Sequence, residues 1–360
     1  MIDLQVLLIT LGILLGIVAL TTMAAIGNKV YSSREESTKR AFMDRLRKSF
    51  LLLKTGIPED HAEGMRRIVQ AFSGRWSELA AQEVSQLELA TRLDVIRVLE
   101  QTGVIPKQLR LARSPMKWTR AHAIRILGEL KVPSSVPTLL TGLEDKDPDV
   151  RNVAARSLGR MKLQAAEEAL VELLGKHDQA VSARIAAICI EMGPRTAPLL
   201  IRSLREGTPK ARFWASRILG EIRDARAIRS LGDALQDQEP DVRSASVWAL
   251  GMIADRASAS LVEPLLHDPI WYVRAHAAEA LGRIGDPDLV RPLGELLQDR
   301  SWWVRKNAMD ALVRIGEASK SVLLQTLHSG DRFARDCAVE ALMTLGMPLP
   351  ETVASDGEET

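Results

Sequence analysis

From residue 114 onward, apolar and polar positions follow a helical rhythm, and the rhythm itself recurs about every 31 residues. Arg120, Arg151, Arg212, Arg243, Arg274, Arg305 and Arg335 hold the register, and Ser182 takes the arginine's place in a degenerate eighth copy. Counted from the arginine, apolar or small residues sit at −1, +3 and +7, as in Val150, Ala154 and Leu158 or Val273, Ala277 and Leu281. These positions share one face of a helix, and the small residue at +3 permits close approach of a neighbour. Glycine at +8 (Gly128, Gly159, Gly220, Gly251, Gly282) or +11 (Gly193, Gly285, Gly316, Gly346) reads as a helix exit. A second apolar stretch in each copy, such as SVPTLLTGLED or LVRPLGELLQD, predicts a second helix. The expected fold is all-α, an α-solenoid of stacked helical hairpins over residues 114–346.

The first residues follow a different pattern. No charge occurs from Leu4 to Asn28, and residues 4–26 would span about 34 Å as a helix at about 1.5 Å per residue. This predicts one transmembrane helix within residues 1–28, preceding the solenoid and crossing a lipid bilayer. Lys29, Arg34, Lys39, Arg40, Arg45, Arg47 and Lys48 follow it. That bias places the N-terminus outside and the solenoid on the cytoplasmic side of a bacterial plasma (inner) membrane. Gly12 and Gly16 form a GxxxG that would pair two anchors into a homo-oligomer. Residues 29–113 read as a basic juxtamembrane segment and helical N-terminal cap, with Phe42, Leu46, Phe50 and Leu53 on one face. Residues 347–360 read as an acidic, disordered tail.

Composition narrows the function. The chain is 46% apolar and 26% charged, with a net charge of +2. Residues 29–130 carry a charge of +7 and residues 131–360 a charge of −4, so no basic trough for nucleic acid is expected. Cys189 and Cys337 are too few and too far apart for a disulfide framework or a zinc site. No Walker loop, GxGxxG, HExxH, CxxC or GxSxG is present, and His276 with Glu279 makes only an isolated HxxE. No cofactor, metal, catalytic residue or small-molecule substrate is expected, and the chain reads as non-enzymatic.

The repeat resembles the HEAT-repeat family, in particular its short form of about 31 residues seen in phycobilisome-lyase-like proteins. The resemblance rests on the ladder arginines and on an acidic residue six positions before them: Asp145, Asp237, Asp268 and Asp299, with Glu206 as a substitute. Pro137 and Pro198 add a mark fourteen before the arginine, and residues 88–103, with Arg92, resemble an eroded further copy. Stacked units would let Arg151, Arg243, Arg274 and Arg305 bond a carboxylate on the next unit's turn, a structural role.

Two surfaces are candidates for binding. Position +5 should project from the concave second-helix face: Arg125, Arg156, Ala187, Arg217, Trp248, Glu279, Asp310 and Glu340, a run from basic to acidic. Trp118, Trp271, Tyr272, Trp302, Trp303 and Phe333 sit two or three residues before a ladder arginine, where turns would align into an aromatic edge. The leading expectation is a membrane-anchored scaffold for a protein partner, such as a polysaccharide-synthesising glycosyltransferase. A bilin or chromophore lyase, implied by the resemblance, and a nucleic-acid-binding HEAT-like protein are the alternatives.

Overall fold

A computed structural model describes the backbone of residues 4–349 except position 177. Side chains are described from residue 20 onward, apart from residues 25–27 and 177. All regular structure among the described residues is helical. The chain divides into two compact units, Met1–Ser135 and Val136–Thr360.

The first unit holds α1 (Leu4–Leu52), α2 (Pro58–Ala71), α3 (Ser77–Ser85), α4 (Leu89–Gln101), α5 (Val104–Leu111) and α6 (Lys117–Leu130). Leu46 and Phe50, on the stripe predicted at the end of α1, are buried together with Met65 and Ile68 of α2. Gly64 is required there, because a Cβ would stand 2.7 Å from the Ser49 carbonyl oxygen. Pro58 starts α2 at a position where its missing N–H costs nothing.

The membrane placement needs correction. Among the described residues, no helix is long and apolar enough to cross a membrane. Past Asn28 the same helix continues with Lys29, Arg34, Glu35, Glu36, Lys39 and Arg40, beyond the predicted span, and its C-terminal end packs on α2. The side chains of residues 4–19, and with them most of the predicted bilayer contact and the Gly12–Gly16 pair, lie outside the described residues. So do residues 350–360 of the predicted tail.

The second unit is an α-solenoid. Short helices α7 (Val136–Gly142), α9 (Gln164–Leu173), α11 (Ala197–Glu206), α13 (Ile228–Ala234), α15 (Ala259–Val262), α17 (Val290–Glu295) and α19 (Lys320–Thr326) alternate with long ones. The long helices are α8 (Pro148–Met161), α10 (Gln179–Met192), α12 (Pro209–Ile222), α14 (Pro240–Ile253), α16 (Trp271–Ile284), α18 (Trp302–Ile315) and α20 (Arg332–Thr344). The positions at −1, +3 and +7 form the core: Val273, Ala277 and Leu281 are wholly buried, as are Val304, Ala308 and Leu312.

The +8 glycines do not end helices, and three of them serve packing. Gly220, Gly251 and Gly282 lie inside their helices, where an added Cβ would meet Ala249, Ala280 and Ala311 of the next long helix at 2.6–2.7 Å. The exits fall at +11, where Lys162, Arg223 and Ala254 adopt the left-handed conformation that Gly285 adopts without a Cβ penalty.

Among the described residues of the second unit, the rungs from Arg212, Arg243 and Arg274 tie consecutive turns, each to an aspartate 25 positions on. Arg212 reaches Asp237 at 2.6 and 2.9 Å, Arg243 reaches Asp268 at 2.8 and 3.1 Å, and Arg274 reaches Asp299 at 2.7 and 2.9 Å. The third guanidinium nitrogen of each donates to a carbonyl of its own turn: Gly207, Asp237 and Asp268 respectively. Arg151 makes the same local bond to the Asp145 carbonyl, at 2.8 Å. Position 176, where a carboxylate would close its rung, is Lys176, which pairs with Glu172. Glu206 is no rung either, since it is exposed and pairs with Arg202 at 3.0 Å.

Candidate functional site

The +5 positions of α12, α14 and α16 come together on the long-helix face. Arg217 lies over the Trp248 ring, its guanidinium carbon 3.5 Å from the ring centre. The same ring comes so close to Gly220 that a Cβ there would stand 2.7 Å from its Cζ3, so glycine makes room for the indole. Burial depresses the Arg217 pKa, while Glu221 and Glu279 pull the other way. Glu279 accepts from Arg283 at 2.8 Å, and a second Arg283 nitrogen stands 3.3 Å from the Met252 sulfur.

His276, one turn before Glu279, places Nδ1 2.6 Å from the hydroxyl of buried Ser244 on α14. Burial pushes its pKa below the usual histidine value, Glu279 opposes that shift, and Arg217 adds to it. The cluster therefore joins a half-buried aromatic plane, two guanidinium groups, one carboxylate and one neutral imidazole. Such a set offers an aromatic surface beside cationic groups of a kind that pair with carboxylates.

The remaining +5 residues are placed as follows. Arg156 is exposed on α8. Asp310 and Glu340 are bridged by Lys306, at 3.2 and 3.5 Å. In the first unit Arg125 donates to Glu78 at 3.0 Å, and the other Glu78 oxygen meets His122 at 2.8 Å. In the predicted run from basic to acidic, Arg125, Glu279, Asp310 and Glu340 each have a local charged partner.

The aromatic row of the second unit is largely exposed: Trp302 at 55%, Trp303 at 58%, Phe333 at 60% and Trp271 at 46%. Trp302 and Trp303 meet edge to face at 4.8 Å, and Trp271 and Tyr272 at 5.7 Å. Tyr272 donates to Asp241 at 2.9 Å. Burial first, then that hydrogen bond, raises its phenol pKa. Trp118, in the first unit, is exposed with Lys117 over its ring.

Ser244, His276 and Arg283 were not predicted as site residues. The HxxE spacing of His276 and Glu279, and the place of Glu279 in the +5 row, marked that helix face in advance. No activated thiol accompanies the cluster: burial pushes Cys189 up to about 12 and raises Cys337 as well. No group of three or more His, Cys, Asp or Glu among the described residues is placed to hold a metal ion.

A solenoid of two-helix units joined by arginine–aspartate rungs defines a class, and sequence comparison identifies it. The profile described as HEAT repeats matches residues 105–190, 196–274 and 258–343, and the chain belongs to that family. It is similar to the bilin biosynthesis protein RpcF of Synechococcus sp. (strain WH8020), with 34% identity over 94 residues. That stretch covers 26% of this chain and 45% of the relative's length. Among solved structures, Kap121p bound to Nup53p aligns with 87% of this chain and 42% of its own, at 14% identity and a TM-score of 0.52, a likeness of fold. The complex of CpcE and CpcF of phycocyanin lyase from Nostoc sp. PCC7120 aligns with 67% of this chain and 94% of its own, at 20% identity and a TM-score of 0.32. RpcF is named for bilin biosynthesis, and that similarity overturns the expectation of a non-enzymatic chain.

Proposed function

We propose that this chain is a HEAT-repeat subunit of bilin-lyase type, which holds a linear tetrapyrrole on the long-helix face of its second unit. The observation that carries this reading is Arg217 stacked on Trp248 beside Glu279, His276 and Arg283. A bilin is a flat conjugated chain with two propionates and ring N–H groups. Arg217 and Arg283 offer the counter-charges, Trp248 an aromatic contact beside them, and Glu279 an acceptor for pyrrole N–H. The similarity to RpcF supports the chemical class. Titrating the protein with phycocyanobilin, with absorbance and tryptophan fluorescence as readouts, tests it. A saturable red shift that weakens about tenfold in Trp248→Ala and in Arg217→Ala is expected, in line with loss of one stacking or charge-assisted contact. No spectral change in the wild type, or equal binding by both variants, rejects the site.

A second reading, docking of a protein partner, is favoured by the exposed Trp302–Trp303 pair. The two are compatible, because a subunit that handles a chromophore must also meet the polypeptide that receives it.

A further inference from the structure

The ladder of the second unit stops one rung early. Arg212, Arg243 and Arg274 each grip an aspartate 25 positions on, at Asp237, Asp268 and Asp299. For Arg305 the same position is Gly330, and nothing lies within 4 Å of where its Cβ would stand. One Arg305 nitrogen is used, donating to the Asp299 carbonyl at 3.0 Å. Its Nε, the atom that faces the carboxylate in the other three rungs, is buried and has no hydrogen-bond partner. A buried, cationic donor without an acceptor is costly, and three neighbouring copies show which group satisfies it.

The surroundings add a second requirement. The Phe333 ring stands 5.0 Å from the Arg305 guanidinium carbon. Trp302 and Trp303, three and two residues before Arg305, are more than half exposed, as is Phe333. Apolar rings therefore flank a fork whose anion is missing.

We propose that Arg305, with Trp302, Trp303 and Phe333, forms a docking site for an acidic residue set among apolar side chains on a partner polypeptide. The partner's carboxylate pairs with the Arg305 guanidinium in place of the absent rung, and its apolar neighbours cover the rings. This gives the protein-docking reading its chemistry and rests on that reading. It is independent of whether Trp248 and Arg217 bind a bilin.

Gly330→Asp supplies the test, because it fills the fork from within at a position with open space. The probes are two short fluorescein-labelled peptides, one carrying an aspartate between two leucines and the other an asparagine there. Binding is followed by fluorescence anisotropy on the full chain. The aspartate peptide is expected to bind the wild type at least about tenfold more tightly than the asparagine peptide. That preference should vanish in Gly330→Asp while its unfolding midpoint does not fall. If both peptides bind equally and Trp302→Ala/Trp303→Ala removes both, the rings dock protein but the carboxylate site is wrong. If neither peptide binds, or Gly330→Asp keeps the full preference, the proposal is overturned.

Discussion

Arg274 joins two repeats and its own turn at once. Its Nε and one terminal nitrogen hold both oxygens of Asp299, while the other terminal nitrogen bonds the Asp268 carbonyl at 2.8 Å. Both side chains are more than four-fifths buried, so the pair is shielded from solvent screening. Burial alone would raise the Asp299 pKa, but the Arg274 fork, the Ser301 N–H and the charge of Arg305 outweigh it and hold it below the usual value. Asp237 behaves likewise, with Arg212 and the Glu239 N–H as the opposing groups.

Truncating the rung strands a buried guanidinium. Asp299→Ala is expected to cost about 3 kcal/mol, read as a lowered midpoint in urea unfolding. The pH sign follows from the depressed folded pKa. The stabilisation is complete above the unfolded value of 3.8 and is lost as pH falls through the lower folded one. Asp299→Asn should therefore flatten the acid limb of the stability curve relative to wild type. An unchanged acid limb would remove the rung from the account.

The fourth, open rung predicts the opposite sign. Gly330→Asp is expected to add about 1 kcal/mol by giving Arg305 Nε its acceptor. The gain should disappear in an Arg305→Ala background, a comparison that a double-mutant cycle measures directly.

Helix packing gives a contrasting pair of glycine effects three residues apart. A Cβ at Gly251 would stand 2.7 Å from the Ala280 Cα, a backbone atom that cannot move without shifting α16. Gly251→Ala should cost about 2 kcal/mol through overpacking. Ala254, at the exit of the same helix, sits at φ 56°, so Ala254→Gly should gain about 0.5–1 kcal/mol by relieving left-handed strain. Urea midpoints moving in the same direction for both would contradict this assignment.

The register of the solenoid was open to sequence reading because stacking demands particular residues at fixed offsets. Val, Ala and Leu at −1, +3 and +7 have no alternative use, and the arginines and Asp237, Asp268 and Asp299 recur with them. The +8 glycines were visible but misassigned, since their purpose depends on Ala249, Ala280 and Ala311 one repeat away. For the same reason Trp248 reads as a projecting side chain, although the neighbouring helix supplies Gly220 and Arg217 to receive it. The apolar run at the start was read from its length, its lack of charge and the basic residues that follow it, whereas the packing of α1 on α2 depends on a helix elsewhere in the chain.

The two thiols offer a check on the core that needs no mutation. Cys189 is wholly buried on α10, and burial first, then the nearby Glu167, push its pKa up to about 12. Cys337 is only partly covered. A thiol reagent on the native protein at pH 8 should label Cys337 alone, with Cys189 reacting only as denaturant is added. Rapid labelling of both under native conditions would contradict the burial of Cys189.

His276 yields the last prediction, and its sign differs from that of the rungs. Burial lowers its folded pKa from 6.5, Glu279 opposes the shift, and Arg217 reinforces it. As pH falls below about 6.5 the unfolded chain takes up a proton that the folded cluster resists, so stability declines by at most about 1.4 kcal/mol per pH unit. Above that pH the imidazole is neutral in both states and contributes no slope. The decline should continue until the lower folded pKa is reached and then level off for this group. His276→Gln, which keeps a polar atom for the Ser244 hydroxyl, should remove that segment of the curve while leaving the rung-dependent loss at lower pH. Equilibrium urea unfolding between pH 5 and 8 measures it. If wild type and His276→Gln run parallel through this window, the imidazole is not held neutral by the Ser244–Arg217 surroundings, and its place in the candidate site fails with it.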